Sequence, residues 1–243
     1  MGRADRVIDD YDAYLFDLDG VLTPTVDLHR RAWAETFGAF LAARGLAPYR
    51  EAEYFASLDG RSRFAGVRAL LDARGLPLPE GLPGDADLDS VVGIGNRKNL
   101  AFTEVLERDG IAAYPGSLVL LDRLARLGRP LAVVSSSRNA EAVLAAAGLR
   151  DRFAAVVDGA VAEREGLPGK PAPDTFLRAA ELLGVAPARA VVLEDAGSGV
   201  AAGRAGGFGL VVGVDRGAGR DELRAAGADL VVADLAELVE MDA

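Results

Sequence analysis

Residues 14–23 read Tyr-Leu-Phe-Asp-Leu-Asp-Gly-Val-Leu-Thr, a short apolar run that ends in two closely spaced carboxylates. The uninterrupted apolar residues 13–16 are typical of a parallel strand that is covered on both faces. Gly20 allows the backbone to turn sharply after that strand. Asp17 is therefore expected at the carboxyl end of the strand, with Asp19 in the loop that follows. Ligands bind at this edge of open α/β sheets, although a solvated Asp-Gly turn explains the stretch equally well when it is taken alone.

The composition is that of an acidic globular protein. The 243 residues are 50% hydrophobic and carry a formal net charge of −10. This charge argues against general binding to nucleic acid or to an anionic membrane, because both require basic patches. The chain has no cysteine, which excludes disulfides and thiolate chemistry. No apolar run approaches the ~20 residues that cross a bilayer, and residues 1–12 lack a signal-peptide core, so we expect a cytoplasmic protein.

The apolar pattern predicts two kinds of region. Residues 26–108 show helical periodicity without strand-like alternation, whereas strands and helices alternate from residue 115 onward. Such alternation implies a doubly wound parallel sheet. We therefore predict an α/β fold in which residues 1–25 and 109–243 form the core and residues 26–108 form an inserted helical cap.

The individual elements follow from the same pattern. Strands are predicted at residues 13–16, 131–134, 154–157, 190–193, 210–214 and 230–232. Helices are predicted at residues 26–44, 49–58, 63–74, 96–108, 116–127, 140–147, 173–183, 199–205 and 220–226, with a final short helix. Residues 75–89, which are rich in proline, glycine and acids, are predicted to form an exposed loop.

Carboxylates follow two of the predicted strands. Asp17 and Asp19 follow the first strand, and Glu194 and Asp195 follow strand 190–193. Because the carboxyl ends of parallel strands lie at one edge of a sheet, we expect these acids to lie close together. Carboxylates that are brought together repel one another unless a cation lies among them, and an all-oxygen ligand set favours Mg²⁺. These four residues are therefore the predicted magnesium ligands.

Ser135 and Lys170 add groups that suit a phosphoryl substrate. Ser135 follows strand 131–134, and Lys170 lies in a loop before a helix. The ammonium group and Mg²⁺ would neutralise phosphate oxygens, and the serine hydroxyl would hydrogen-bond one of them. Asp17 could then attack phosphorus to form an aspartyl-phosphate, while Asp19 exchanges a proton with the leaving group and the incoming nucleophile. Each group alone also fits an ordinary loop or helix start, so it is the combination that favours phosphoryl transfer.

Lysine occurs only at Lys98 and Lys170 among 27 basic residues. Either these two positions need a compact ammonium group where arginine serves elsewhere, or the two lysines are retained by chance. Lys170 does not belong to a phosphate-binding P-loop, because Pro171 follows it. The single histidine, His29, excludes a mechanism that needs two.

In combination these motifs resemble those of the haloacid dehalogenase-like superfamily. The resemblance covers essentially the whole chain and rests on residues 17–23, Ser135, Lys170-Pro171 and Glu194-Asp195. It implies a Rossmann-like core with a mobile helical cap, a Mg²⁺-dependent nucleophile at Asp17 and a general acid and base at Asp19. Dehalogenases lack the second aspartate, so its presence favours phosphoryl transfer.

Within the superfamily the chain is most similar to the β-phosphoglucomutase family. The resemblance implies that Arg63 and residues 137–139 hold the phosphate that is not being transferred. It also implies that His29 links closure of the cap to the readiness of Asp19 to act as the general acid. Lys98 and Asn99 are implied to face the substrate. The full set of implied substrate-binding residues is Thr25, His29, Arg63, Lys98, Asn99, Ser137, Arg138 and Asn139.

Two functions stay open. A mutase would interconvert β-glucose 1-phosphate and glucose 6-phosphate through a phosphoenzyme and the 1,6-bisphosphate. It needs two phosphate sites, because the bisphosphate must turn around, and the guanidinium of Arg63 suits the second. A sugar-phosphate phosphatase would use the same core with water as the acceptor, and Asp59, where the family usually has a basic residue, leaves that alternative open. The family expectation is a monomer that acts on a small sugar phosphate.

Overall fold

The computed structural model of the protein describes residues 9–240 of the chain. These residues form two compact units. The first, the sheet unit, extends to Pro24 and resumes at Ile111, and the second, the helical unit, is Thr25–Gly110. Residues 1–8 and 241–243, which belong to the predicted core segments, lie outside the described residues.

The helices are numbered in chain order through both units. The helical unit contains α1 (Thr25–Ala42), α2 (Arg63–Ala73) and α3 (Val91–Asp109). The sheet unit contains α4 (Pro115–Arg126), α5 (Ala140–Ala146), α6 (Gly159–Glu165), α7 (Asp174–Leu183), α8 (Gly197–Ala205), α9 (Arg220–Ala226) and α10 (Ala236–Glu240). No helix within residues 9–240 combines the length and the apolar character that a membrane span requires.

The strands of the sheet unit form one parallel sheet. They are β1 (Ala13–Phe16), β2 (Leu131–Val134), β3 (Ala155–Val157), β4 (Ala190–Glu194), β5 (Leu210–Val214) and β6 (Leu230–Val232). Their order across the sheet is β3-β2-β1-β4-β5-β6. This arrangement of a parallel sheet with intervening helices confirms the predicted α/β, Rossmann-like class.

The central strands are buried along their whole length. Every residue of β1, β2, β4 and β5 is buried, whichever face of the sheet its side chain occupies. Leu15 and Val192 of β1 and β4 pack with Phe176 of α7 and Val200 of α8 in one apolar cluster. Strands covered on both faces are continuously apolar rather than alternating. This explains why their positions were predictable from the sequence.

The register of the sheet aligns the carboxyl ends of its three central strands. Phe16 pairs with Val133 on one side and with Leu193 on the other. The amide of Asp17 continues the ladder by donating to the carbonyl of Leu193 at 2.9 Å. The residues that follow β1, β2 and β4 therefore lie side by side at one edge.

Aromatic side chains of α1 form the core of the helical unit. Trp33 and Phe37 stack with ring centres 5.5 Å apart, and both are buried with Leu70 of α2 and Ile94 of α3. Their spacing along α1 produces one apolar stripe. The burial of that stripe against α2 and α3 joins the three helices.

The prediction of a helix at residues 49–58 was wrong only for residues 49–51, because the chain is helical from residue 52. A π-helical turn is present at Tyr54–Leu58, and the chain before it is held by side chains instead. Arg74 donates to the carbonyls of Ala47 and Pro48 at 2.7 and 2.8 Å. These carbonyls therefore do not depend on helix amides, and the helical turn begins late.

Two helix boundaries differ from the sequence pattern because of capping. Helix α3 begins at Val91 rather than at residue 96, since the side chain of Ser90 accepts a hydrogen bond from the amide of Gly93 at 3.0 Å. Helix α6 was not predicted at all. It is short and is capped by Asp158, whose carboxylate accepts hydrogen bonds from the amides of Ala160 and Val161, and by Gly166, whose φ is 67°.

Candidate active site

Lys170 lies between two carboxylates at the carboxyl edge of the sheet. Its Nζ atom is 2.5 Å from Oδ1 of Asp17 and 2.5 Å from Oε1 of Glu194. It also donates to the carbonyl of Val134 at 3.2 Å. All three charged side chains are buried. One ammonium group therefore connects the ends of β1, β2 and β4.

The charges of this cluster are not balanced. Burial raises the pKa of Asp17 well above its usual value, and the nearby charges of Glu194 and Asp19 add to that rise although Lys170 opposes it. Burial alone would lower the pKa of Lys170, but the charges and hydrogen bonds of Asp17 and Glu194 raise it. Lys170 therefore stays protonated. A single ammonium group leaves excess negative charge at the site.

Ser135 orders the loop after β2. Its amide donates to the carbonyl of Val157, and its hydroxyl oxygen accepts from the amide of Ser137 at 3.0 Å. The Ser137 hydroxyl in turn accepts from the amide of Asn139 at 3.2 Å. Such side-chain to backbone bonds fix a loop without regular structure. They hold the Ser135 hydroxyl at 3.5 Å from Oδ2 of Asp19.

Arg138 is the exposed member of the same loop. Its guanidinium forms an ion pair with Glu163 of α6 at 3.0 Å. Both side chains are substantially exposed to solvent, so the pair is weak and easily exchanged for another anion.

Glu194 is held from two directions. Its Oε2 atom accepts from the amide of Ala196 at 2.9 Å, while Oε1 contacts Lys170. A Cβ atom at position 199 would lie 1.8 Å from Oε1, so the glycine there leaves the space that this carboxylate fills. The contribution of Gly199 was missed from the sequence, where the only signal was a glycine-rich start of the helix after Glu194.

The described residues contain no ready-made metal cluster. Within residues 9–240, no group of three or more His, Asp or Glu side chains is arranged to hold a metal ion. Lys170 occupies the space between Asp17 and Glu194, Asp19 lies beside Ser135, and Asp195 is half-buried directly after β4. The donor chemistry nevertheless fits a hard cation, because all four candidate ligands supply oxygen and the local charge is negative.

The second lysine of the chain is buried in the helical unit. Lys98 is 4% exposed, and its Nζ atom forms a hydrogen bond with Nδ1 of His29. The ammonium lies 5.1 and 5.0 Å from the ring centres of Trp33 and Phe102, within cation–π range. The His29 ring stacks on Phe102 at 4.3 Å. With Lys98 in its ammonium form, which only donates, Nδ1 of His29 is the acceptor of this hydrogen bond.

The remaining predicted residues of the helical unit lie at helix starts and on α3. Arg63, the first residue of α2, donates to Oδ1 of Asn99 at 2.5 Å. Thr25 is buried at the start of α1. The structure thus brings together His29 with Lys98, and Arg63 with Asn99.

The model of the haloacid dehalogenase-like hydrolase family matches residues 11–207. The chain belongs to the haloacid dehalogenase-like hydrolase family. Relatives that match most of its length include a mutase and a phosphatase, and the chain is an enzyme of the type predicted, a mutase or a phosphatase.

Individual relatives within the haloacid dehalogenase-like family support this conclusion. The chain is 49% identical to a β-phosphoglucomutase of Mycobacterium tuberculosis (strain CDC 1551 / Oshkosh), over 93% of this chain and 91% of that protein. It is 33% identical to hexitol phosphatase A of Escherichia coli (strain K12), over 80% and 79%. The crystal structure of β-phosphoglucomutase from Clostridium difficile aligns with a TM-score of 0.76 at 26% identity, covering 94% and 93%. The resemblance to the β-phosphoglucomutase family is thereby confirmed.

Proposed function

We propose that the protein transfers a phosphoryl group through an aspartyl-phosphate at Asp17 and interconverts β-D-glucose 1-phosphate and glucose 6-phosphate through the 1,6-bisphosphate. The observation that carries the proposal is the buried contact of the Asp17 carboxylate with Lys170, which also contacts Glu194. Lys170 holds Oδ1 of Asp17, so Oδ2 is the oxygen that attacks phosphorus. The similarity to a mycobacterial β-phosphoglucomutase supports the choice of substrate.

The other groups of the sheet unit bind the phosphoryl oxygens and transfer protons. Lys170 keeps its proton and offsets negative charge on the phosphoryl oxygens. The Ser135 hydroxyl, whose oxygen already accepts from the Ser137 amide, turns its proton toward a phosphoryl oxygen. Asp19 gives a proton to the departing oxygen and later takes one from the incoming hydroxyl.

Asp17, Asp19, Glu194 and Asp195 would hold Mg²⁺. When bound, the ion supplies positive charge that stabilises the phosphoryl oxygens and the carboxylates around them. Burial is the main cause of the raised pKa of Asp17, and the neighbouring charges of Glu194 and Asp19 add to it; that local negative charge supports a cation at this place.

The sugar phosphate is bound by the residues that the family resemblance implies. Arg63, oriented by its hydrogen bond to Asn99, supplies a planar guanidinium for the phosphate that is not transferred. Ser137, Arg138 and Asn139 contribute to binding the same group. His29, Lys98 and Thr25 complete the substrate-binding set. We further propose that the enzyme is a monomer, which is the family expectation. We also propose that it works in the cytoplasm, which agrees with the absence of cysteine.

A phosphatase that acts on sugar phosphates is the second candidate. The chain is similar to a hexitol phosphatase, and Asp59 lies where a basic residue is usual in mutases. In that case water, rather than a sugar hydroxyl, accepts the phosphoryl group from Asp17.

The deciding assay supplies β-glucose 1-phosphate with Mg²⁺ and a trace of glucose 1,6-bisphosphate. Glucose 6-phosphate as the main product supports the mutase, whereas stoichiometric inorganic phosphate supports the phosphatase. Asp17→Asn is the common control and should abolish both products. Full activity of this variant would refute the phosphoenzyme, whichever product the wild type forms.

A further inference from the structure

Arg216, just after β5, holds the loop that carries Asp19. Its Nε donates to the carbonyl of Gly20 at 3.0 Å, and one terminal nitrogen donates to the carbonyl of Ala233 at 3.0 Å. The guanidinium carbon lies 3.9 Å from the ring centre of Tyr114, and the group approaches Asp234 at 3.7 Å. The side chain is 20% exposed. It is therefore a largely buried cation with several fixed partners.

The next two carbonyls of the same loop are also bound. The Ser117 hydroxyl donates to the carbonyl of Val21 at 2.6 Å, and the amide of Tyr114 donates to the carbonyl of Leu22 at 2.9 Å. Three consecutive carbonyls thus accept from donors in distant parts of the chain. The bond at Gly20 is the one nearest Asp19 and the only one of the three that comes from a charged side chain.

Gly20 needs this support because of its backbone conformation. Its φ of 84° lies in the left-handed region, and its amide donates to the carbonyl of Thr23 at 2.8 Å within the loop. A glycine can leave such a conformation easily, since it has wide backbone freedom. The bond from Arg216 restrains the Gly20–Val21 peptide group, one residue beyond Asp19, and thereby limits the rotation of Gly20 that would change the direction of the Asp19 side chain toward Ser135.

We propose that Arg216 is a positioning residue, which holds the Gly20 peptide so that the Asp19 carboxylate stays where it can transfer a proton. This inference rests on the proposed proton-transfer role of Asp19. Arginine suits the task because its planar fork bonds two carbonyls at once while its face packs on Tyr114. A lysine carries its three donors on a single nitrogen rather than on a spread planar fork, and it has no planar face to pack on Tyr114.

The test compares two aryl phosphates that differ in how much they need a proton donor. The leaving group of p-nitrophenyl phosphate departs without protonation, whereas that of phenyl phosphate is more basic and gains from an acid. With Mg²⁺ present, Arg216→Met should lower kcat/KM for phenyl phosphate about 10-fold more than for p-nitrophenyl phosphate. General acid catalysis is worth about 10²–10⁴ in rate, and misplacement removes part of it. Arg216→Lys should give the same pattern with a smaller difference.

A matched control lies at the other end of the sheet. Arg129 also donates to a backbone carbonyl, that of Asp9 at 2.9 Å, and its side chain is 30% exposed. Because Arg129 precedes β2 and Asp9 precedes β1, this bond lies away from the Asp19 loop. Arg129→Met should therefore leave the ratio of the two rates unchanged, even if it lowers stability.

Asp19→Asn separates failure of this inference from failure of the proposed function. Because Asp19 is also a proposed magnesium ligand, Asp19→Asn is assayed at saturating Mg²⁺. If it then loses both activities equally, the proton role of Asp19 is refuted, and the basis for Arg216 is lost with it. If Asp19→Asn is selective but the Arg216 variants lose both activities equally, or neither, only the assignment of Arg216 is overturned. Should Arg216→Met fail to fold, the ratio of the two rates is measured for Arg216→Lys instead, and an unchanged ratio there overturns the assignment.

Discussion

Glu194 is the site residue whose place depends most closely on another residue. Gly199 faces it from α8, and a Cβ atom there would lie 1.8 Å from Oε1 and 2.0 Å from the carboxyl carbon. Such a contact cannot be tolerated, so the carboxylate would have to leave Lys170. The missing side chain at position 199 is thus required by the geometry of the charged cluster.

Gly199→Ala should therefore reduce turnover sharply. Moving Glu194 releases the Lys170 ammonium that bonds Asp17, and displacement of catalytic groups by about 1 Å lowers rates about 100-fold. The measurement is kcat in the mutase assay, together with the thermal midpoint of unfolding. Gly197→Ala, at another position of α8, is the control, because its Cβ would meet only Ala226 of α9 at 3.8 Å, an ordinary contact. Equal activity of the two variants would contradict the importance of the Glu194 position.

Much of the candidate site could be predicted because strand ends are easy to recognise. Asp17 and Glu194 follow fully apolar runs, and parallel strands require that their ends share an edge. Gly199 and Arg216 could not be found this way. Gly199 contributes by having no side chain, and Arg216 contributes a hydrogen bond to a backbone carbonyl. Neither contribution is visible without coordinates. The roles given to the acids and to Lys170 stay predictions until they are tested.

At the scale of elements, a partly buried ion pair joins Glu53, directly before the π-helical turn, to Arg74 at the end of α2. Arg74 and Glu53 form two hydrogen bonds of 2.7 and 2.6 Å, and each side chain is 14% exposed. The hydrogen bond from Arg74 lowers the pKa of Glu53, although burial opposes this. Glu53 also accepts from the amide of Arg50 at 2.8 Å. This carboxylate therefore stabilises an irregular segment that has little regular structure of its own.

Glu53→Gln should lower the free energy of unfolding at pH 7 by about 1.5–3 kcal/mol, the usual value of hydrogen bonds to charged groups. The depressed pKa makes the contribution of Glu53 pH-dependent. It is fully present above the ordinary value of 4.5 and is lost as the pH falls through the lower folded value. The difference between wild type and variant, measured by urea unfolding, should shrink over that acidic range.

The exposed pair of Arg68 and Glu80 is the control for Glu53. Their side chains are 47% and 55% exposed, so Glu80→Gln should change stability by only about 0–1 kcal/mol. A loss for Glu80→Gln as large as that for Glu53→Gln would show that burial does not determine the effect.

The accuracy of the predicted elements follows from how they are stabilised. Strands β2, β5 and β6 have the predicted bounds because their apolar pattern defines them, and helix α9 has its predicted bounds because Gly219 and Gly227 flank it. Residues 49–51 were wrongly assigned to a helix, since Arg74 binds the carbonyls that precede them. Helix α6 depends on the cap at Asp158 and on small residues that give no clear periodicity.

At the scale of the whole molecule, the net charge of −10 makes any cation stabilising to some degree. A specific Mg²⁺ site must therefore be distinguished from general screening. The distinction is possible because screening depends on ionic strength, while a site saturates and depends on particular carboxylates.

Mg²⁺ should raise the free energy of unfolding by about 2.7 kcal/mol at a concentration about 100 times its Kd, because it binds the folded state preferentially. The measurement is urea unfolding during a Mg²⁺ titration, with NaCl added to keep the ionic strength constant. Asp195→Asn should weaken this stabilisation by removing a proposed ligand. Asp72→Asn, at an exposed position of the helical unit, changes the net charge equally and should leave it intact. Identical responses of the two variants would mean that Mg²⁺ acts through net charge alone, and Asp195 would then have no place in the site.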